Sequence, residues 1–462
     1  MSVMSAVFLL YVAALVLFGF RSSRCIKGID DFFVARKGAS VKSVAGSLVA
    51  TILGGSAVMG AIDAGPSMGG ASAWFMLVGA AGLLLLLPLS GRAYRLGKFS
   101  LPDLIYRMYG DAPSVATRLI VPIAWTGIVA AQIIAGAKLL QSIIPFGYDA
   151  CACIVATIFI LYTIAGGQVS ILRTDFFQAI LVVTGLSILF AFAYLSGGID
   201  GRLPESTTPV RAFPFNDSFS SVDLILLVLA YGSTFTAGPD VFSRIFCARS
   251  ENVAKKSIAA ASVVLVLVAF LIGYLSAFGA TFTNVEGSRI MTIVHAVLPA
   301  SLEPLMAISL MSVVLSSADT TLLGSSVIIC GLLNFRKPKN NQKSVTVRAA
   351  RAIILINGVA ALVIALNFSD IISTLLFSLS VYAGAFTVPI LWGLCGFSSG
   401  PRYVACAMVL GGLLALLGKV LQNCESAPRI IPDILLVTSF VVNGIVLAAG
   451  RHTAISISGK RS

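Results

Sequence analysis

The chain is a succession of apolar runs, each roughly 17–25 residues long, and no other feature constrains its folding as much. A run of that length wound as a helix crosses about 30 Å of hydrocarbon. Thirteen such runs are read at residues 3–20, 43–63, 71–90, 117–141, 149–165, 175–196, 221–243, 257–280, 303–332, 352–367, 371–395, 403–421 and 432–450. With 58% hydrophobic and 11% charged residues, and a mean hydropathy of +0.98, the chain has too little charge to wet the surface of a soluble domain. The expected fold class is an all-α polytopic membrane protein with about 13 transmembrane helices, integral and multi-pass in a plasma (inner) membrane.

The net charge of +13 could suggest a nucleic-acid partner, but the placement of the charges argues against one. With the first run's N-terminus outside, 26 of the 32 Lys and Arg residues fall on inner segments. The exceptions are Lys138, Arg202, Arg211, Arg289, Lys419 and Arg429. That bias is the positive-inside rule with an N-out/C-in orientation. The first run has no basic segment before it, and its flank RSSRCIK follows it, so an uncleaved N-out helix is expected rather than a signal peptide. The eight cysteines lack metal-type spacing and read as small core residues. Neither His295 nor His452 has a metal partner near it in sequence. The stretch SRIMTIVHAVLPA around His295 reads as a short amphipathic element on the outer surface. The basic link NFRKPKNNQKSVTVR at 334–348 reads as a cytoplasmic connector.

Two runs are interrupted in corresponding ways. GGSAVMGAIDAG (54–65) lies in the second and YGSTFTAGPD (231–240) in the seventh. Glycine weakens a helix and frees backbone carbonyls, and paired interruptions in two halves of a transporter point to a central site. If runs 2–6 and 7–11 are two repeats, each break falls in the first helix of its repeat. An odd number of helices per repeat inverts one half against the other. The simpler alternative is that the small residues only permit close helix packing.

The stretch SSADTTLLGSS (316–326) places hydroxyls and an acid inside an apolar run. At helical spacing Val313, Ser316, Ser317, Thr320 and Gly324 share a face, with Asp319 flanking it. Serines in a helix can bond back to the carbonyl four residues earlier. Hydroxyls grouped beside freed carbonyls also supply the hard oxygens that suit a small monovalent cation.

These residues resemble the sodium/solute symporter family, which includes sodium/proline and sodium/galactose symporters. SSADTTLLGSS is similar to the family's ninth helix, and IDDFFVARKGAS (29–40) to the segment after its first. GKFSLPDLIYRMYG (97–110), AGGQVSILRTDFFQAILVV (165–183) and GPDVFSRIFCARS (238–250) resemble further family motifs in the same order. The resemblance implies the LeuT-type fold, a 5+5 inverted repeat with additional helices. The chain would divide into a first helix and cytoplasmic loop (1–42), a first five-helix repeat (43–198), an extracellular loop (199–219), an inverted second repeat (220–396), and two C-terminal helices with a short tail (397–462). It also implies a sodium site between the broken second helix and the ninth. Carried over by motif, its ligands are the carbonyls of Gly55, Val58 and Val313 and the hydroxyls of Ser316 and Ser317. Asp175 matches an acid on the family's sodium path; its spacing to Gln178 equally suits a helix N-cap after Gly166–Gly167. Two positions depart from the pattern. Arg173 stands where the family commonly has an aromatic or aliphatic residue; it either obeys the positive-inside rule or pairs with Asp175 or Asp240. Asp63 replaces a neutral residue and could meet a substrate amine, carry a proton or cap the break.

The implied activity is Na⁺ influx coupled to uptake of a small polar organic solute, such as an amino acid or carboxylate, by alternating access. Ser56, Ala57, Tyr231, Thr234 and Phe235 are expected to line the solute site, with Tyr382 a further candidate. No cofactor beyond the coupling ion is expected, nor an obligate protein partner; the bilayer, Na⁺ and the solute are the partners. With no nucleophile–base or metal constellation, an enzyme is not expected. The alternatives are a proton-coupled transporter of the same fold and a non-transporting solute sensor.

Overall fold

The structure is a computed structural model. It describes residues 38–97, 100–196, 213–282, 287–335, 347–423 and 430–451, with isolated positions outside these ranges; the side chains of 166–170, 172–173, 333–335 and 347 are not described. Among the described residues every regular element is helical, and extended pairing is confined to two isolated bridges. Twelve helices there are long and apolar enough to cross a membrane, and they match the second to thirteenth expected runs. Most of the first run, 3–20, lies outside the described residues, as do most of the basic link and most of the loop at 199–219.

Helices α1 (Val41–Leu53) and α2 (Gly55–Asp63) form the first interrupted span. The short α3 (Gly65–Met68) leads through a tight turn into α4 (Ala73–Leu86); α5 (Ser90–Leu96) and α6 (Leu101–Tyr109) follow. Two long helices, α7 (Asp111–Gln141) and α8 (Tyr148–Leu195), complete the first half. The assignment of α8 is unbroken, yet it holds two expected spans. A straight helix would set residues 162 and 174 about 18 Å apart along its axis, whereas Tyr162 Oη and Thr174 Oγ1 are 2.9 Å apart. The chain therefore doubles back between them, where Gly166 and Gly167 stand.

The second half opens with α9 (Ser221–Leu227), a widened π turn at Val228–Gly232, α10 (Ser233–Ala237) and α11 (Pro239–Cys247). Then come α12 (Glu251–Gly279), the short α13 (Arg289–Val297), α14 (Glu303–Phe335), α15 (Val347–Asn367) and α16 (Ile371–Leu394). The last pair is α17 (Pro401–Asn423) and α18 (Ile430–Ala449). The amphipathic element expected around His295 is α13, which buries Ile290, Met291, Ile293 and Val294.

Burial separates a centre from a periphery. The apolar window of Val41–Asp63 is 89% buried inside the protein and that of Glu303–Leu332 83%, against 28% for Ile430–Ala449. A helix apolar all round and buried can carry polar groups only where they meet partners, so the central helices are where function is to be sought. α1 packs against α8, α12 and α14, while α10 packs against α4 and α16.

Candidate functional site

The first break is set by close packing. The chain turns at Gly54 (φ 16°, ψ 137°), and at Gly55 a Cβ would stand 2.1 Å from Val314 Cγ2 and 2.8 Å from its Cα. Only glycine lets α2 lie this close to α14. Ending α1 at Leu53 leaves Ala50, Thr51, Ile52 and Leu53 as the residues whose carbonyls lack a regular intrahelical partner. Ser317 of α14 faces that end: its hydroxyl donates to Thr51 O at 3.1 Å and lies 3.5 Å from Ala50 O. The expected pairing of the two helices is there, but its register differs. Gly55 and Val58 stand past the break inside α2, where a helix uses its carbonyls for its own bonds. Val313 is likewise buried within α14. The carbonyls that meet the serine hydroxyl belong to the last turn of α1.

Ser316 turns the other way and donates to Asp175 Oδ1 at 2.7 Å. Asp175 is not a helix cap. It is fully buried, accepts from Ser47 Oγ, and pairs with Arg244 Nη2 at 3.3 Å. The Arg244 guanidinium also donates to Ser47 Oγ at 2.6 Å, to Thr320 Oγ1, and to Thr51 Oγ1 at 3.5 Å. One side chain thus ties α11 to α1, α8 and α14. Counted by sequence among the inner-segment cations, Arg244 is 1% exposed and belongs to the core. The motif around it was legible, but not its burial. Arg118, counted likewise, is buried and pairs with Asp103 at 3.2 Å. Asp319, placed at the edge of the hydroxyl face by helical phase, is also fully buried; its Oδ1 accepts from Thr320 Oγ1 at 3.3 Å. The side chain of Arg173 lies outside the described residues, and the cation that pairs with Asp175 is Arg244.

Beside the first break is a cavity with ≈ 60 Å³ available to the centres of water molecules. Ser56, Ala57, Tyr231, Thr234 and Phe235, the residues expected at a solute site, all line it together with Ser317. Sequence reasoning missed Trp125, Gln132 and Asp240 as liners. Gln132 holds Ser56 twice, accepting from its backbone N–H at 3.1 Å and donating to its hydroxyl at 2.8 Å. The Trp125 indole N–H donates to Asp240 Oδ1 at 2.9 Å and Oδ2 at 3.0 Å. The second break, at Gly238, places Asp240 just inside the start of α11.

Tyr382 stands one layer behind this cavity. It donates to Ala237 O at 2.6 Å, supplying the carbonyl that the second break leaves without a helical partner, and its ring packs edge-on against Trp125 at 4.6 Å. Asp63 also lies away from the cavity. Its carboxylate is 3.7 Å from Lys138 Nζ and accepts the Arg289 backbone N–H, the first of α13, at 3.2 Å. Capping is thus what Asp63 does here, though it caps α13 rather than the break. Of the six described cysteines, Cys151, Cys247 and Cys330 are buried as expected, whereas Cys153, Cys395 and Cys406 are exposed.

Comparison with known proteins identifies relatives of the whole fold. The profile of the family described as "Sodium:solute symporter family" matches residues 32–395. The sodium/proline symporter of Escherichia coli (strain K12) is 24% identical over 260 residues, which are 54% of this chain and only 52% of that protein. The osmoregulated proline transporter OpuE of Bacillus subtilis (strain 168) is 22% identical, with 95% of this chain and 93% of the relative covered. Among solved structures, a substrate-bound, outward-open Na⁺-coupled sialic acid symporter superposes with a TM-score of 0.78 at 17% identity, covering 98% of both chains. A nucleobase-cation-symport-1 family transporter in a closed conformation gives 0.59 at 13% identity, covering 92% of this chain and 95% of the other.

Proposed function

Because the chain belongs to the sodium:solute symporter family, a family of membrane transporters rather than enzymes, we propose that it couples Na⁺ influx to uptake of a small polar organic solute by alternating access. The observation that carries this reading is the Ser317 hydroxyl set against Thr51 O and Ala50 O at the end of α1, next to a cavity. Carbonyls at a helix C-terminus carry partial negative charge, and with hydroxyl oxygen they form a donor set suited to a weakly held monovalent cation. The proposed ion site therefore joins Ser317, with Ser316 beside it, to the last-turn carbonyls of α1. Asp175 supplies the nearby negative charge, held in place by Arg244. Moving one Na⁺ inward releases about 2.3 kcal/mol per 100 mV, enough with a tenfold ion gradient to concentrate a neutral solute on the order of a hundredfold.

The N-out/C-in orientation and the division into repeats at 43–198 and 220–396 form part of the same proposal. The charge bias across the spans and the matching positions of the two breaks support them. Relatives named for proline make an amino-acid-sized solute the first to try. The test is uptake in vesicles with external Na⁺ or K⁺. Na⁺ should stimulate accumulation, and Ser316→Ala with Ser317→Ala should sharply reduce that stimulation at limiting Na⁺. Uptake driven equally well by a proton gradient without Na⁺, and untouched in the double variant, would overturn the reading.

A further inference from the structure

The cavity has a charge that the symport reading leaves unused. Among the described residues that line it, Asp240 is the only charged side chain, with no Lys, Arg or His to oppose it. Arg244 lies four residues along α11, but its guanidinium is engaged by Asp175, Ser47 and Thr320. Among the described residues, Trp125 Nε1 donates to the Asp240 carboxylate. A neutral N–H and the start of a helix offset part of a carboxylate's desolvation; neither supplies the full countercharge that a carboxylate at membrane depth calls for.

Resting on the symport reading, we infer that the transported solute bears a protonated amino group, and that Asp240 is the specificity-determining residue that receives it. The remaining walls suit such a group. Trp125, Tyr231 and Phe235 offer aromatic rings, whose faces attract ammonium ions. Gln132 and Ser56 supply neutral polar groups on the side of the first break. A purely anionic solute would meet Asp240 with no cationic side chain in the lining to hold it. A sugar would leave the carboxylate only the longer-range attraction of Arg244, which is already paired with Asp175. The size agrees: at about 10–15 Å³ of such space per water and about 30 Å³ of liquid volume each, ≈ 60 Å³ holds about four to six waters. That is room for an amino acid or small amine, and too little for an oligosaccharide.

The plainer account is that Asp240 only strengthens the start of α11. It predicts that changing the charge alters stability without regard to the solute. To separate the two, thermal stability of the purified full-length protein is measured in Na⁺ and in K⁺ buffer with two sets of probes. The ammonium-bearing set is the twenty amino acids and pyrrolidine. The other set is tetrahydrofuran-2-carboxylate, which replaces proline's ring nitrogen with oxygen, together with lactate and galactose. Stabilisation in Na⁺ by one or more of the first set, and by none of the second, is the expected result. In Asp240→Asn the same probe should bind about tenfold or more weakly, as loss of a charge-assisted pair requires, while Asp240→Glu should retain part of the response. A Na⁺-dependent response to any probe of the second set, no response to any of the first, or an ammonium response unchanged in Asp240→Asn would overturn the proposal. The wild-type panel decides even if a variant does not fold. Stabilisation by Na⁺ without solute reports on the ion site separately, so failure of the amine reading is distinguishable from failure of symport.

Discussion

The two interrupted spans break differently and present different chemistry. At Gly54 the chain turns within one residue, and the end of α1 shows its carbonyls to the hydroxyl of Ser317. At Gly238 the break follows a widened π turn; the carbonyl at the end of α10 is already taken by Tyr382, and what reaches the cavity is Asp240 from the start of α11. A helix end is polar in either direction. In the proposed function, which end is left open and which is capped by a neighbour decides whether a break serves an inorganic cation or a solute.

The contrast can be broken in order of expected effect. Arg244→Gln should be the most damaging single change, since it leaves Asp175 buried without its cation; loss of one partner of a buried pair costs about 3–5 kcal/mol. Melting temperature in detergent should fall steeply, and Asp175→Asn added to Arg244→Gln should recover part of it. No recovery would mean that Arg244 acts mainly through Ser47 and Thr320. Next, Ser316→Ala with Ser317→Ala should weaken the apparent Na⁺ affinity by about tenfold or more, at about 1–1.5 kcal/mol per lost hydrogen-bonding group. A change in solute preference with unaltered Na⁺ dependence would erase the distinction between the breaks.

Tyr382→Phe tests the other side. It strips the donor from the buried Ala237 carbonyl, which costs about 1–3 kcal/mol, and frees the ring that orients Trp125. The KM for the solute should rise several-fold while Na⁺ dependence stays put; the reverse outcome would assign Tyr382 to the ion. Asp63→Asn should have the smallest effect. Asp63 and Lys138 retain 22% and 24% exposure, and such partly solvated pairs contribute about 0.2–1 kcal/mol, so uptake should stay within about twofold of wild type. A larger loss would make Asp63 part of the transport path.

Much of this was legible in sequence because its causes are local. Run length fixed the twelve spans that the structure describes, and glycine clusters marked both breaks. Five cavity-lining residues lay within or beside those breaks: Ser56, Ala57, Tyr231, Thr234 and Phe235. What the sequence left open or misplaced shares a different cause. Asp175 suits a cap as well as an ion path, Arg244 looks like a loop cation and Asp319 like an edge residue, because each is judged against its own segment. Asp175 and Arg244 find their partners on other helices: Ser47 on α1, Asp175 on α8 and Thr320 on α14; Asp319 is buried although its hydrogen-bond partner, Thr320, is its neighbour on α14.

The sequence by itself therefore determined the class of molecule, the interrupted helices and the chemistry gathered at them. Hydropathy and helix-breaking are properties of short segments and need no neighbour. Tertiary structure alone decided which carbonyls meet Ser317, that Tyr382 caps rather than lines, and that Asp240 reaches the cavity. Those outcomes depend on the relative register of helices, set by contacts such as Gly55 against Val314, and a one-turn difference in register exchanges one set of oxygens for another.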